Sequence, residues 1–339
     1  SDVCSSDLLY GKAACGALGY AVADAQCADM VVAVTDNLVP YPACPIEISQ
    51  IYVDYIVKVD SIGDPDGIIS GTTKITKDPV GLKIAKMASE VMVATGLVKD
   101  EMSFQTGAGG ISLAVAAELR KYMKENAIVG SFASGGITGY LVDMFEEGLF
   151  KYLFDVQCFD MQAIQSYVGT HKHQRMSASM YGNPDNKGAV VNKLDIVILG
   201  ATEIDTNFNV NVTTGSDGTI MGGSGGHSDT AAGAKLTIIV TQLTKARLPI
   251  IKDNVTTITT PGESIDVIVT ERGIAVNPRR TDIIDKLKNT NLPIRTIGEL
   301  KDIAEKMTGK PKAIEFSDEI VAVIEYRDGS VIDVVRKPL

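Results

Sequence analysis

Apolar residues recur in two kinds of rhythm, and the two alternate. A small-residue helix is predicted over 11–25, then an apolar run at 30–34, a stretch through Pro40, Pro42 and Pro45, and a second apolar run at 55–59. Residues 80–97 carry apolar side chains at helical spacing, and Gly96 marks the end of that helix. From Phe104 the pattern restarts with Gly107, Ala108, Gly109 and Gly110, which open a helix bearing Val115, Leu119, Tyr122 and Met123 on one face. Short β-branched runs come next at 127–129, 196–199, 236–240 and 267–269. Such runs are short, rich in β-branched residues and bounded by turns, which suits strands buried on both faces. Helices alternating with them predict an α/β fold with a parallel sheet. Two short amphipathic helices are expected beyond Asp282, and runs at 320–326 and 331–335 flank Asp328 and Gly329, a hairpin signal. Residues 1–8 show no periodicity and read as translated sequencing-adapter sequence, so they are set aside.

Length and charge narrow the function classes. At 339 residues with 45% apolar composition, the chain has material for about two domains. Lys and Arg total 32 against 42 Asp and Glu, a net charge of -10 that disfavours nucleic acid or an anionic membrane as partner. An anionic substrate then needs a locally basic pocket. No apolar run reaches the ~18 residues of a membrane span, and no basic-then-apolar leader opens the chain, so the expected location is the cytoplasm. Five cysteines without CxxC spacing argue against a disulfide framework or a zinc site.

Three glycine clusters carry the chemical signal: 107–110, 134–139 and 221–227. Glycine lets the backbone approach a ligand and point N–H groups at an oxyanion or phosphate. Any one cluster alone reads as a tight turn, whereas three in one domain suggest a site. None fits a nucleotide P-loop or a dinucleotide fingerprint. His171, His173 and Arg175 form the densest basic cluster. They read either as a solvated loop or as a grip for a polycarboxylate, with Arg175 able to hold one carboxylate bidentately. A metal site on His171 and His173 lacks a third ligand of suitable spacing. The letters at 222–226 fit a Gly-x-Ser-x-Gly elbow, but no strand precedes them, which disfavours a serine hydrolase. Among carboxylates, spacing singles out none of Asp143, Asp155, Asp160, Glu203, Asp205 and Asp229.

Five segments, FQTGAGGISLA at 104–114, GSFASGGITGYLVDM at 130–144, LDIVILGATEID at 194–205, MGGSGGHSDTAAGA at 221–234 and DVIVTERGIAVN at 266–277, resemble the CoA-transferase superfamily. Within it they are most similar to the citrate lyase alpha-chain family of citrate CoA-transferase subunits. The resemblance implies a CoA-transferase-like (NagB/RpiA-like) fold of open, twisted, mostly parallel sheets flanked by helices. It implies that 9–100 is the end of a truncated first half and 101–339 a complete second half. Better-known members carry a glutamate in the segment matching 131–139, which forms a thioester with CoA; here Ser134 stands there, followed by Gly135 and Gly136. A hydroxyl cannot supply carboxylate anhydride chemistry, so direct transfer between bound acids is implied. The implied reaction exchanges acetyl for citryl on an acyl carrier thioester through a mixed anhydride. Implied roles are Gly109, Gly110, Gly135 and Gly136 as oxyanion donors beside Ser134, and His171, His173 and Arg175 on citrate. Gly222, Gly223, Gly225, Gly226 and His227 would hold the phosphates of the carrier arm. That arm is acetyl-CoA or the dephospho-CoA-derived group of an acyl carrier (gamma) subunit; a citryl lyase (beta) subunit completes the implied hetero-oligomer, and no metal or cofactor resides on this chain. Transfer to another acid such as citramalate, or a non-catalytic assembly subunit, are the alternatives.

Overall fold

The computed structural model describes residues 19–41, 46, 48–63 and 73–339. The 1–8 segment, Pro42, Pro45 and the first part of the expected 11–25 helix lie outside them. The described chain begins with α1 (Ala21–Cys27), β1 (Val32–Thr35) and β2 (Tyr55–Lys58), then α2 (Pro79–Ala94), β3 (Ser103–Thr106), α3 (Gly110–Glu125) and β4 (Gly130–Ile137). There follow α4 (Gly139–Glu146), β5 (Phe150–Cys158), α5 (Met161–Gly169), β6 (His173–Arg175), α6 (Ala178–Gly182), β7 (Ile196–Leu199), β8 (Glu203–Asp205) and β9 (Val210–Asn211). Next come α7 (His227–Gly233), β10 (Leu236–Val240), β11 (Thr244–Lys245), β12 (Leu248–Pro249), β13 (Ile251–Lys252), β14 (Val267–Thr270) and β15 (Gly273–Val276). The chain closes with α8 (Thr281–Leu287), β16 (Ile294–Arg295), α9 (Ile297–Thr308), β17 (Phe316–Glu325) and β18 (Val331–Pro338).

Nine strands form the central sheet in the order β16-β15-β14-β10-β7-β3-β4-β5-β6. Every neighbouring pair is parallel except β14 with β15. The continuous apolar runs have the expected cause. Ile196 and Ile198 of β7, and Leu236, Ile238 and Val240 of β10, enter the core under α2 and α3. Val197, Leu199 and Ile239 enter a second core, which α9 closes with Leu300 and Ala304. α2 starts where Asp78 accepts the Val80 N–H at 3.1 Å and Pro79 presets the first turn; Gly96, at φ 72°, ends it as expected. β1 and β2 form a separate parallel pair, and β17 and β18 the C-terminal hairpin.

Two expectations fail locally. The run at 127–129 is not a strand: the Ile128 N–H returns to the Met123 carbonyl and Ala127 takes φ 54°, so the pairing begins at Gly130. The glycine cluster at 134–139, which alone reads as a tight turn, falls mostly in β4, held by β3 on one side and β5 on the other.

Candidate functional site

From β3 the chain winds through β4, β5 and β6, and then returns to β7 on the opposite side of β3. Such a reversal is where open α/β sheets form a ligand crevice, here beyond the carboxyl ends of β3 and β7. The turn after β3 brings Gly107 to bond the Ile198 carbonyl of β7 at 3.0 Å, and Gly109 caps α3 with φ −68°. The amides of Gly110, Ile111 and Ser112 precede the first intrahelical bond, Leu113 N–H to Gly109, and lie at the positive end of the helix dipole. A methyl added at Gly109, at Gly200 after β7, or at Gly222 or Gly223 would meet none of the described residues within 4 Å. These four glycines leave room for a ligand.

Other glycines of the clusters serve packing. A Cβ at Gly110 would lie 3.1 Å from the Lys74 carbonyl, and one at Gly136 would enter the Phe159 ring. Gly135 takes φ 103°, and its missing side chain makes way for Gln105, whose Cδ would stand 2.8 Å from a Cβ there. Gln105 bonds Tyr181 Oη at 2.6 Å, and the Tyr181 ring occupies the space left by Gly226. The three clusters are therefore physically connected, through Gln105 and Tyr181. Sequence reasoning missed both residues; the cue was Gln105, two residues before the first glycine turn.

Ser134 lies opposite Gln105 in register and is fully buried. Its Oγ, the Oε1 of Gln105 and the Oγ1 of Thr138 have no hydrogen-bond partner among the described residues. Each such buried group costs about 1–3 kcal/mol, so the protein carries this strain at the crevice.

The basic cluster is dispersed. His171 is exposed before the amino end of β6, the opposite edge of the sheet from the crevice, beside a groove of about 890 Å³ lined by Lys151, Tyr152 and Lys172. His173 is buried: Nε2 lies 3.1 Å from Asp155 Oδ2 and Nδ1 3.0 Å from Ser166 Oγ. Cys158 donates to the same Asp155 oxygen at 2.8 Å. Among the described residues, Asp155, Cys158 and His173 thus bring three potential metal-ligand atoms together, with Asp155 and Cys158 supplied by β5 rather than by His171. Their separations are those of hydrogen bonds, and the set is satisfied as a polar core network. Arg175 stacks 4.2 Å over Tyr167, and burial depresses its guanidinium pKa to about 10. The three basic residues do not form one grip, because β6 is a strand.

His227 also departs from expectation. At the start of α7 it is buried, its Nε2 donating to the Gly200 carbonyl at 2.9 Å and its Nδ1 accepting from the Thr260 hydroxyl at 2.7 Å. A carbonyl only accepts, which fixes this tautomer. Burial pushes its pKa down to about 4. Both nitrogens are committed, so His227 anchors Gly200 rather than gripping a phosphate. Near the same loop Asp229 bonds Arg327 at 3.3 Å; burial raises its carboxyl pKa, with Arg327 opposing. Glu203 is buried in β8, where burial alone would raise its pKa. Hydrogen bonds from Lys252, Thr256 and Asn211 prevail and hold it below the ordinary value.

Comparison with known proteins agrees with this architecture. The citrate lyase alpha subunit family model matches residues 2–338. The citrate lyase alpha chain of Klebsiella pneumoniae is 50% identical over 96% of this chain, which spans 64% of that relative's length. The crystal structure of the alpha subunit of citrate lyase from Streptococcus mutans, in complex with citrate, superposes with a TM-score of 0.94 at 52% identity, covering 98% of this chain and 65% of that one. A malonate decarboxylase alpha subunit from Acinetobacter baumannii shares the fold alone, with a TM-score of 0.60 at 16% identity over 86% of this chain and 63% of its own. No helix among the described residues is long and apolar enough to cross a membrane. The chain belongs to the citrate lyase alpha subunit family.

Proposed function

We propose that this chain is part of a citrate CoA-transferase subunit, in which 9–100 is the end of a first CoA-transferase half and 101–339 the second half. On this reading α2 reaches from the first half onto the core of the second. A citrate carboxylate oxygen attacks the acetyl carbonyl of an acetyl thioester, and the tetrahedral adduct collapses to a mixed anhydride as the C–S bond breaks. The released thiolate attacks the citryl carbonyl, acetate leaves, and a citryl thioester remains. No proton or electron is gained or lost overall.

One observation carries the reading: Gly109 and Gly200 follow the carboxyl ends of β3 and β7, and a side chain at either, or at Gly222 or Gly223, would meet no described residue, in a chain whose relative from Streptococcus mutans was solved with citrate. The leading amides of α3 are suited to the oxyanion of each adduct, and losing one such donor typically costs ~3 kcal/mol of barrier. Holding both reactants in one crevice supplies much of the remainder. The thioester would come from an acyl carrier subunit with a dephospho-CoA-derived arm, or from acetyl-CoA, with the 222–226 loop beside its phosphates. A separate lyase subunit would cleave the citryl group, in a cytoplasmic complex.

The test is acetate release from acetyl-CoA by the full-length gene product, with citrate, citramalate and no acid in parallel. Citrate-dependent release is expected. Release with citramalate alone would reassign the substrate, and absence of release with any acid would reject the reading. Borohydride treatment in the presence of acyl-CoA should leave every glutamate unreduced; a reduced glutamate would overturn the direct route.

A further inference from the structure

We propose that Gln105 and Ser134 form a pair of neutral hydrogen-bond donors for one oxygen of the substrate's reacting carboxyl group, with Tyr181 the positioning residue that covers and aims the pair; this deepens, and rests on, the transferase reading. Parallel register pairs Gln105 with Ser134, so both side chains leave the same face of the sheet, opposite the face where their neighbours Phe104 and Ala133 enter the main core. On that face Gln105 meets Tyr181, which closes a small apolar cluster with Val156 and Met176.

The pair is unfinished as a hydrogen-bonding unit. Ser134 is fully buried and Gln105 only 6% exposed, yet Ser134 Oγ and Gln105 Oε1 have no partner among the described residues. Rotating the carboxamide by half a turn does not help. Tyr181 would then donate to Oε1, and Nε2 would become the group without a partner, on the sheet face that Ser134 shares. In that orientation adjacent strands present N–H and O–H donors side by side, as an acyl oxygen requires. The left-handed Gly135 exists in this arrangement to let Gln105 lie across β4. The Tyr181 ring abuts Gly226, at the end of the loop that carries the exposed Gly222 and Gly223, so this loop and Tyr181 have to shift for a substrate oxygen to reach the donors.

Neutral donors suit this step better than a cation. The acid arrives as a carboxylate and leaves as an uncharged acyl group, so an arginine there would favour the reactant over the acyl product. Two neutral donors hold the carboxylate modestly and strengthen as the attacked carbonyl becomes an oxyanion.

The experiment measures citrate binding calorimetrically and acetate release from acetyl-CoA plus citrate, on the full-length gene product and its Ser134→Ala, Gln105→Glu and Tyr181→Phe variants, with thermal melting of each without ligand. Ser134→Ala should melt at or above the wild-type temperature, because it deletes an unpartnered hydroxyl. It should lose at least tenfold in kcat/KM for citrate and keep its KM for acetyl-CoA. Gln105→Glu, which sets a carboxylate against the acid, should lose at least a hundredfold, and Tyr181→Phe should lower kcat with little change in citrate affinity. Unchanged citrate kinetics in Ser134→Ala and Gln105→Glu would overturn the proposal, as would a lower melting temperature in Ser134→Ala with equal losses for both substrates. If the wild type binds citrate but releases no acetate, the transferase reading fails; the donor pair is then judged by citrate affinity, which Ser134→Ala must weaken. A wild type that binds no acid overturns both.

Discussion

The buried His227 makes stability depend on pH in a way that one substitution isolates. Its folded pKa is about 4 against an ordinary 6.5, a gap worth about 3 kcal/mol at 1.36 kcal/mol per unit. The folded value is the lower one, so as pH falls the unfolded chain takes up the proton first. The contribution is therefore complete above about pH 6.5, declines between there and about pH 4, and is gone below. Protonation also removes the acceptor for the Thr260 hydroxyl, the bond that ties α7 to the segment after β13. His227→Gln keeps a donor and an acceptor but does not titrate. Urea unfolding followed by circular dichroism from pH 8 to pH 4 should show wild-type stability falling about 3 kcal/mol further than that of the variant. Carboxylates such as Glu203 titrate in both proteins and cancel in the comparison. Parallel curves for the two proteins would refute the buried, neutral assignment.

Gly136→Ala forces a methyl into the Phe159 ring and should destabilise the fold by about 1–3 kcal/mol, whereas Gly109→Ala meets no atom of the described residues and should melt like wild type while slowing acyl transfer. Thermal melting beside acetate release separates the two; equal melting temperatures would contradict the packing described for Gly136. Glu203→Gln leaves the largely buried Lys252 ammonium without its carboxylate and should cost about 3–5 kcal/mol in urea unfolding at pH 7. Thr296→Ala removes the hydroxyl that accepts the Glu299 N–H at 3.2 Å in the capping box of α9 and should cost about 1 kcal/mol by the same measurement.

How far the fold could be read from the sequence depended on how much of each element's cause is local. β7, β10 and β14 were legible because burial at every position leaves them apolar except at Thr237 and Thr270. α2 was legible because it has an apolar face and a glycine stop. β4 was not, because Gly130, Ser134, Gly135 and Gly136 have poor intrinsic strand preference. They form a strand because β3 and β5 supply a ladder on either side and because Phe150, Gln105 and Phe159 fill the space where their side chains would be. The basic cluster misled for a similar reason. Nothing near His173 or Arg175 in sequence announces Asp155, Ser166 or Tyr167, which the sheet and α5 bring to them.

The glycines make the same point about the site. Reading every glycine of a cluster as an amide offered to a ligand merges two physical causes that share one residue type. At Gly110, Gly135, Gly136 and Gly226 the missing Cβ is occupied by protein: the Lys74 carbonyl, Gln105, Phe159 and Tyr181. At Gly109, Gly200, Gly222 and Gly223 it is not occupied by any described residue. The first group lets large side chains cross between strands and loops, which joins the three clusters and buries polar groups without partners. The second group leaves the backbone approachable from the crevice. The approachable backbone and the buried polar groups without partners therefore come from two different sets of absent side chains that share one residue type.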